Sequence, residues 1–248
     1  MKKFTNKNVL ITGGSSGIGL ATAKVFLEEG ARVWITGRNI QALEKIKEDL
    51  NDSNLNILVS DTTKINDIDK IVKNFEDNSI KLDSVFLNAG IAKFNSIAQT
   101  TEEEFDAQFN TNVKGAFFTL QKLIPLLNEN ANVTINGSTN ASTSSMGSSV
   151  YSATKAAVVK IAKIAANELA PQKIRVNVIS PGPTLTNGLK GVAPSEVQDY
   201  LAANTALQRL GESEEIAKAV LFISTSDASF ITGTELVVDG GLVNYSLK

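Results

Sequence analysis

Short apolar runs alternate along this chain with longer segments whose apolar residues recur at three- and four-residue intervals. The runs at 8–12 (NVLIT), 32–36 (RVWIT), 55–60 (LNILVS), 82–87 (LDSVFL), 132–136, 174–179 (IRVNVI) and 234–238 predict buried strands. The segments at 18–29, 41–50, 65–76, 102–127, 151–170 and 214–224 carry the helical interval. In the first helix the apolar positions are 18, 21, 25 and 26, and Gly30 ends it. Strands that are apolar on both faces, each followed by a helix, predict an α/β fold. We expect a doubly wound, Rossmann-like parallel sheet of about seven strands with helices on both faces. Ligands of such sheets bind at the carboxyl ends of the strands. No repeat or linker interrupts the alternation, so residues 1–248 are expected to form a single domain. The connection at 183–205 is too long for a plain turn. With Pro183, Gly188 and Gly191 near its start and a short helix expected at 195–203, it reads as a substrate lid.

Composition narrows the chemistry. Of 248 residues, 42% are hydrophobic and 20% charged, and the formal net charge is −2. Without a basic excess, neither nucleic acid nor an anionic membrane is an expected partner. There is no cysteine, which excludes thiol catalysis and thiolate metal sites, and no histidine, which excludes Ser-His-Asp chemistry and imidazole acid–base work. Proton transfer therefore falls to Tyr, Lys, Asp, Glu or water. The first residues, MKKFTNKNVLITGG, contain no apolar run of signal-peptide length, and no stretch is long enough for a membrane span. A cytoplasmic location is the expectation.

Two stretches carry candidate chemistry. The first is TGGSSGIG at 12–19, between the first strand and the first helix. Glycines at 13, 17 and 19 allow a tight turn, and the helix N-terminus offers unpaired N–H groups to a pyrophosphate. At the end of the second strand, where an acid would hydrogen-bond an NAD ribose, stand Gly37 and Arg38. A guanidinium there suits a ribose 2′-phosphate, with Ser15 as a further contact. The missing acid also counts against an S-adenosylmethionine methyltransferase. The second stretch is STNASTSSMGSSVYSATK at 138–155. It sets Tyr151 and Lys155 one helical turn apart on one face, with Ser138 arriving from the preceding strand end.

Taken together, these motifs resemble the short-chain dehydrogenase/reductase family in its compact branch, nearly end to end. The turn at 12–19, with Gly13, Ser15, Ser16, Gly17, Ile18 and Gly19, is similar to the family's cofactor turn. Asp61 matches an acid that contacts adenine, and Asn88-Ala89-Gly90 the family's NAG motif. Asn112 matches its helix asparagine, and Ser138, Tyr151 and Lys155 its catalytic trio. Pro181-Gly182, with Thr184 and Thr186, matches the stretch beside nicotinamide, and Asp239-Gly240-Gly241 the C-terminal signature. Leu87 departs from the pattern, which often has a second asparagine there.

The resemblance implies hydride transfer between nicotinamide and a carbonyl or secondary alcohol, with NADP(H) preferred and NAD(H) as the alternative. Tyr151 would act as general acid/base. Lys155 would lower the phenol's pKa and hold the nicotinamide ribose, and Ser138 would bind the substrate oxygen. Asn112 would hold a water that relays protons to Lys155. The substrate wall is expected from Ile91 to Asn95, with Phe94, and from Asn140, Met146, Leu185 and Leu189. A homotetramer or homodimer is expected, built on small and apolar residues of the helices at 102–127 and 151–170. Two other functions stand beside this one. One is a 3-oxoacyl-carrier-protein reductase, and the other a dinucleotide-binding regulator without turnover.

Overall fold

The computed structural model describes residues 2–186, 188–189 and 193–244. Seven strands form one parallel sheet: β1 (Asn8–Ile11), β2 (Arg32–Gly37), β3 (Leu55–Val59), β4 (Leu82–Leu87), β5 (Leu127–Asn136), β6 (Arg175–Pro181) and, last in the chain, β9 (Glu235–Val238). Their order across the sheet is β3-β2-β1-β4-β5-β6-β9. The helices are α1 (Gly17–Glu28), α2 (Ile40–Leu50), α3 (Ile65–Asp77), α4 (Glu102–Gln108), α5 (Ala116–Leu123), α6 (Ser149–Leu169), α7 (Ser195–Ala203) and α8 (Ser213–Ser224).

The strands read as unbroken apolar runs because both faces of the sheet are covered. One face packs Ile71 and Phe75 of α3, Leu120 and Leu123 of α5, and Val158 and Ala162 of α6 against Leu10, Val85 and Val133. The other packs Phe26 of α1, Leu43 of α2 and Val220 of α8 against Val9, Ile11 and Phe86. Alternate residues of one strand thus serve opposite cores, as a pleat of period two requires. The order reverses between β1, which leads to β2 on one side, and β4 on the other. That reversal opens a crevice at the carboxyl ends of β1 and β4.

Three features differ from the sequence expectation. The helix expected at 102–127 is not a plain α-helix. A π-helical segment, Phe109–Gly115, separates α4 from α5, and the last turn tightens before β5 begins at Leu127. The wider turn delivers Asn112 to the interior, where it is buried. Strand β5 also starts earlier than its apolar run, because Leu127 pairs with Leu82 across a register shift in β4. Finally, Thr184–Leu185 (β7) pairs in parallel with Gly211–Glu212 (β8), closing the base of the long connection. Of the lid expected at 183–205, residues 187 and 190–192, Gly191 among them, lie outside the described residues.

Gly115 ends the π segment against the main chain that follows β3. A Cβ there would stand 2.9 Å from the Thr62 carbonyl oxygen and 3.0 Å from Thr62 Cβ. Gly115→Ala is expected to destabilise the fold by about 1–3 kcal/mol through overpacking. Urea unfolding checks this, and an unchanged midpoint would mean that the helix moves away from Thr62 freely.

Candidate active site

The crevice is a cleft of about 370 Å³. Its floor is the turn after β1. Gly13 adopts φ +65°, and a Cβ there would press to 2.9 Å from Ala89 Cα. At Gly19 a Cβ would fall 2.3 Å from the Gly13 carbonyl oxygen. Side chains at either position would force β1, α1 and β4 apart. Helix α1 starts immediately after, capped by Ser16 without a side-chain bond and with no acid in its first turn. Its N-terminal positive end therefore faces the cleft uncompensated, a setting for an anion.

The structure brings most of the expected residues together. Gly13, Ser15, Ser16, Gly17, Ile18, Arg38, Asp61, Asn88, Ala89, Gly90, Tyr151, Lys155 and Thr186 all line this one cleft. Arg38 is exposed at one end, with no hydrogen-bond or ion-pair partner among the described residues. Gly37 beside it is buried against Leu43 and Ser15. Asp61 folds one carboxylate oxygen back onto Thr63, accepting from its N–H at 3.0 Å and its hydroxyl at 2.8 Å. Thr186 covers the turn, with its Cβ 3.4 Å from where a Cβ on Gly17 would stand.

At the other end, Lys155 is 5% exposed, and its Nζ donates to the Asn136 carbonyl at 2.8 Å. Burial pushes its pKa down to about 8, so at neutral pH it still carries a proton. The ammonium lies 5.7 Å from the Tyr151 ring centroid. For Tyr151, burial raises the phenol above its ordinary value, and the hydroxyl of Ser138 pulls the other way. Ser138 Oγ also accepts from the Asn140 N–H at 3.2 Å, and Phe94 meets Tyr151 edge-on with centroids 5.6 Å apart.

Asn112 is where the sequence placed it, but its side chain is already occupied. Its Oδ1 accepts from the Ile91 N–H at 2.8 Å. Its Nδ2 donates to the Ile91 carbonyl at 2.8 Å and to Thr154 Oγ1 at 3.0 Å. Both amide protons are used, so this side chain clamps the loop after β4, and a water could reach only the remaining acceptor capacity of Oδ1.

Other expected residues lie off the cleft. The Thr184 hydroxyl donates to the Gly182 carbonyl at 2.9 Å, and the residue lines a separate small cavity beside Arg209 and Glu215. Gly182 packs on Asp239, where a Cβ would meet its Cα at 2.6 Å, and Pro181 pairs with Val238. Met146 is fully exposed, Leu185 belongs to β7, and the Leu189 N–H bonds Thr186 Oγ1 at 3.1 Å. Asn140 accepts from Thr143 and Ser145 within its own loop. Sequence reasoning missed Thr12, whose hydroxyl accepts from the N–H groups of Asn88 and Ala89, and Thr154 and Asn136. A polar residue closing an apolar strand, as Asn136 does, is the signal that could have marked the last.

Comparison with known proteins gives the family. Residues 13–243 match the family model described as Enoyl-(Acyl carrier protein) reductase. The chain belongs to the short-chain dehydrogenase/reductase family and is an oxidoreductase of that family. It is 35% identical over 244 residues to "Oxidoreductase asL5" of Sarocladium schorii, covering 98% of each chain. It is 34% identical to the 3-oxoacyl-[acyl-carrier-protein] reductase FabG of Chlamydia muridarum, covering 96% of this chain and 98% of the other. A short chain dehydrogenase from Burkholderia cenocepacia, solved in complex with NADP, superposes with a TM-score of 0.90 at 28% identity. That match covers 97% of this chain and 99% of the other.

The buried lysine makes a stability prediction. Its pKa falls from 10.5 in the unfolded chain to about 8 in the fold, so the unfolded chain binds the proton more tightly. The group therefore destabilises the fold at pH 7, and that penalty is relieved as pH rises from 8 to 10.5. Lys155→Met is expected to stabilise the protein at pH 7 by about 1–3 kcal/mol, allowing for the lost bond to Asn136. The advantage should vanish near pH 10.5. Urea unfolding at the two pH values reads it, and a variant less stable at pH 7 would contradict the burial penalty.

Proposed function

We propose that this protein is an NADP(H)-dependent reductase or dehydrogenase for a carbonyl or secondary alcohol, with Tyr151 as general acid/base. The observation that carries this reading is one cleft lined at one end by Tyr151 and the buried Lys155, with Ser138 bonded to the phenol, and at the other by Arg38, which has no partner among the described residues. The residues fit a nicotinamide dinucleotide. The crowded glycine turn admits a close backbone approach, the α1 N-terminus favours the pyrophosphate, and Arg38 with Ser15 suits a 2′-phosphate. When bound, the nicotinamide supplies or takes the hydride at carbon.

The chain's own groups handle the proton. Burial keeps the Tyr151 phenol protonated at neutral pH, so it can deliver a proton to the oxygen of a carbonyl being reduced. Ser138 Oγ donates to that same oxygen and stabilises charge that develops on it. Lys155 stays cationic and buried. It offers the donors left free by Asn136 to a ribose hydroxyl pair and stabilises the phenolate as it forms. Asn112 acts through position, holding Ile91 and Thr154 so that the loop after β4 and the start of α6 stay in register.

Phe94 supports a wall with apolar character, and the 183–205 connection is read as the lid over it. The relative named as a 3-oxoacyl-[acyl-carrier-protein] reductase favours an acyl thioester as a second substrate reading. A homodimer or homotetramer is supported by Phe105, Phe117 and Ile164, which stand exposed on α4, α5 and α6. No described helix is long and apolar enough to cross a membrane. We read the chain as one domain at work in the cytoplasm.

Two variants test this reading. Tyr151→Phe is expected to bind NADPH with near-unchanged affinity while turnover falls about a thousandfold or more. Retained turnover on a working substrate would remove Tyr151 from the proton step. Arg38→Ala is expected to weaken NADPH about tenfold or more while NADH changes little. Equal loss for both cofactors in a fluorescence titration would separate Arg38 from the 2′-phosphate.

A further inference from the structure

The two ends of the cleft are joined through a pair of asparagines. Asn88 Nδ2 donates to the Thr12 carbonyl at 3.1 Å and to the Gly13 carbonyl at 3.0 Å. Two carbonyl oxygens on one atom settle which end of that amide is nitrogen. Asn88 Oδ1 therefore needs a donor, and Asn136 Nδ2 supplies it at 2.9 Å. Asn136 is the last residue of β5, and its main-chain carbonyl is the acceptor for Lys155 Nζ. One residue thus holds the lysine with its backbone and the clamp on the glycine turn with its side chain.

The side chain keeps this orientation against a penalty. Asn136 Oδ1 is buried and has no partner among the described residues. A buried acceptor left unpaired is costly. Turning the amide over would not relieve it, because it would set Asn136 Oδ1 against Asn88 Oδ1. The bond to Asn88 is what fixes the arrangement. A lysine ammonium has three donors, so the carbonyl's claim on one leaves two for a ligand.

We propose that Asn136 is a positioning residue that ties the placement of Lys155 to that of the nucleotide-binding turn. The proton-handling end and the nucleotide end of the cleft are thereby set by one strand end. This rests on the nicotinamide reading given above.

The test compares Asn136→Val with Asn136→Thr, a pair of one shape that differs in a hydroxyl donor. Asn88→Ala and Asn88→Ala combined with Asn136→Val complete the set. NADPH and NADH binding is read by nucleotide fluorescence, folding by near-UV circular dichroism, and turnover as kcat and cofactor KM. The valine variant is expected to bind NADPH about tenfold more weakly, through a raised KM with kcat within about threefold. The threonine variant is expected to be about fivefold closer to wild type. The double variant should bind no worse than Asn88→Ala alone. Equal binding by the valine and threonine variants, or additive losses in the double variant, would overturn the tether while leaving the nicotinamide reading intact. Wild-type protein that binds neither nucleotide would overturn that reading and the tether with it.

Discussion

A charged lysine buried at the carboxyl edge of the sheet is the constraint around which this fold is arranged. Removing an ammonium from water costs free energy, which appears here as a pKa held down to about 8. Within the described residues the fold offers it the Asn136 carbonyl in return. That bond offsets part of the cost only if the strand end stays in place. The carboxyl half of β5 is accordingly paired on both sides, residues 132–135 with β4 and 132–136 with β6, and its last residue is hydrogen-bonded to Asn88. The phenol of Tyr151, on the same helix as the lysine, is desolvated by the same packing. Burial thus pushes both groups toward their neutral forms, lowering the lysine's pKa to about 8 and keeping the phenol protonated.

The far end of the cleft follows the opposite logic. Arg38 is exposed with no partner among the described residues, and the α1 N-terminus has no acid in its first turn. Positive potential is left unspent there, in water, where a phosphate can reach it. Gly13 and Gly19 let β1, α1 and β4 meet closely enough for one molecule to span from this end to the lysine. The distance between a solvated cation and a buried one is what makes the cleft directional.

Much of this was legible in the sequence, and the reasons are physical. Parallel strands covered on both faces must be apolar throughout, so runs such as 32–36 and 174–179 announced themselves. The glycine turn was legible because crowding permits no other residue, and the Tyr151–Lys155 spacing because one helical turn puts both on one face. The π segment was hidden. Over the seven residues of 109–115, the apolar spacing of a wider turn differs too little from that of an α-helix. The start of β5 was masked by Asn128, Glu129 and Asn130, which are polar though part of the strand. The bond between Asn88 and Asn136 joins residues 48 apart, and no local pattern encodes it. Thr184 lines a separate cavity for a related reason, since its strand pairs with residues 211–212, more than twenty-five positions along the chain, and its hydroxyl bonds the Gly182 carbonyl.

The central claim is that this cleft moves a hydride between nicotinamide and a carbonyl carbon under the proton chemistry of Tyr151. The most direct measurement supplies NADPH deuterated at C4 with a panel of ketones, sugars and acyl thioesters, and reads the products by mass spectrometry. The account predicts one deuterium on the new carbinol carbon of at least one substrate class, and none when Tyr151→Phe replaces the wild type. NADPH that binds but transfers no label to any carbonyl on the panel would contradict it.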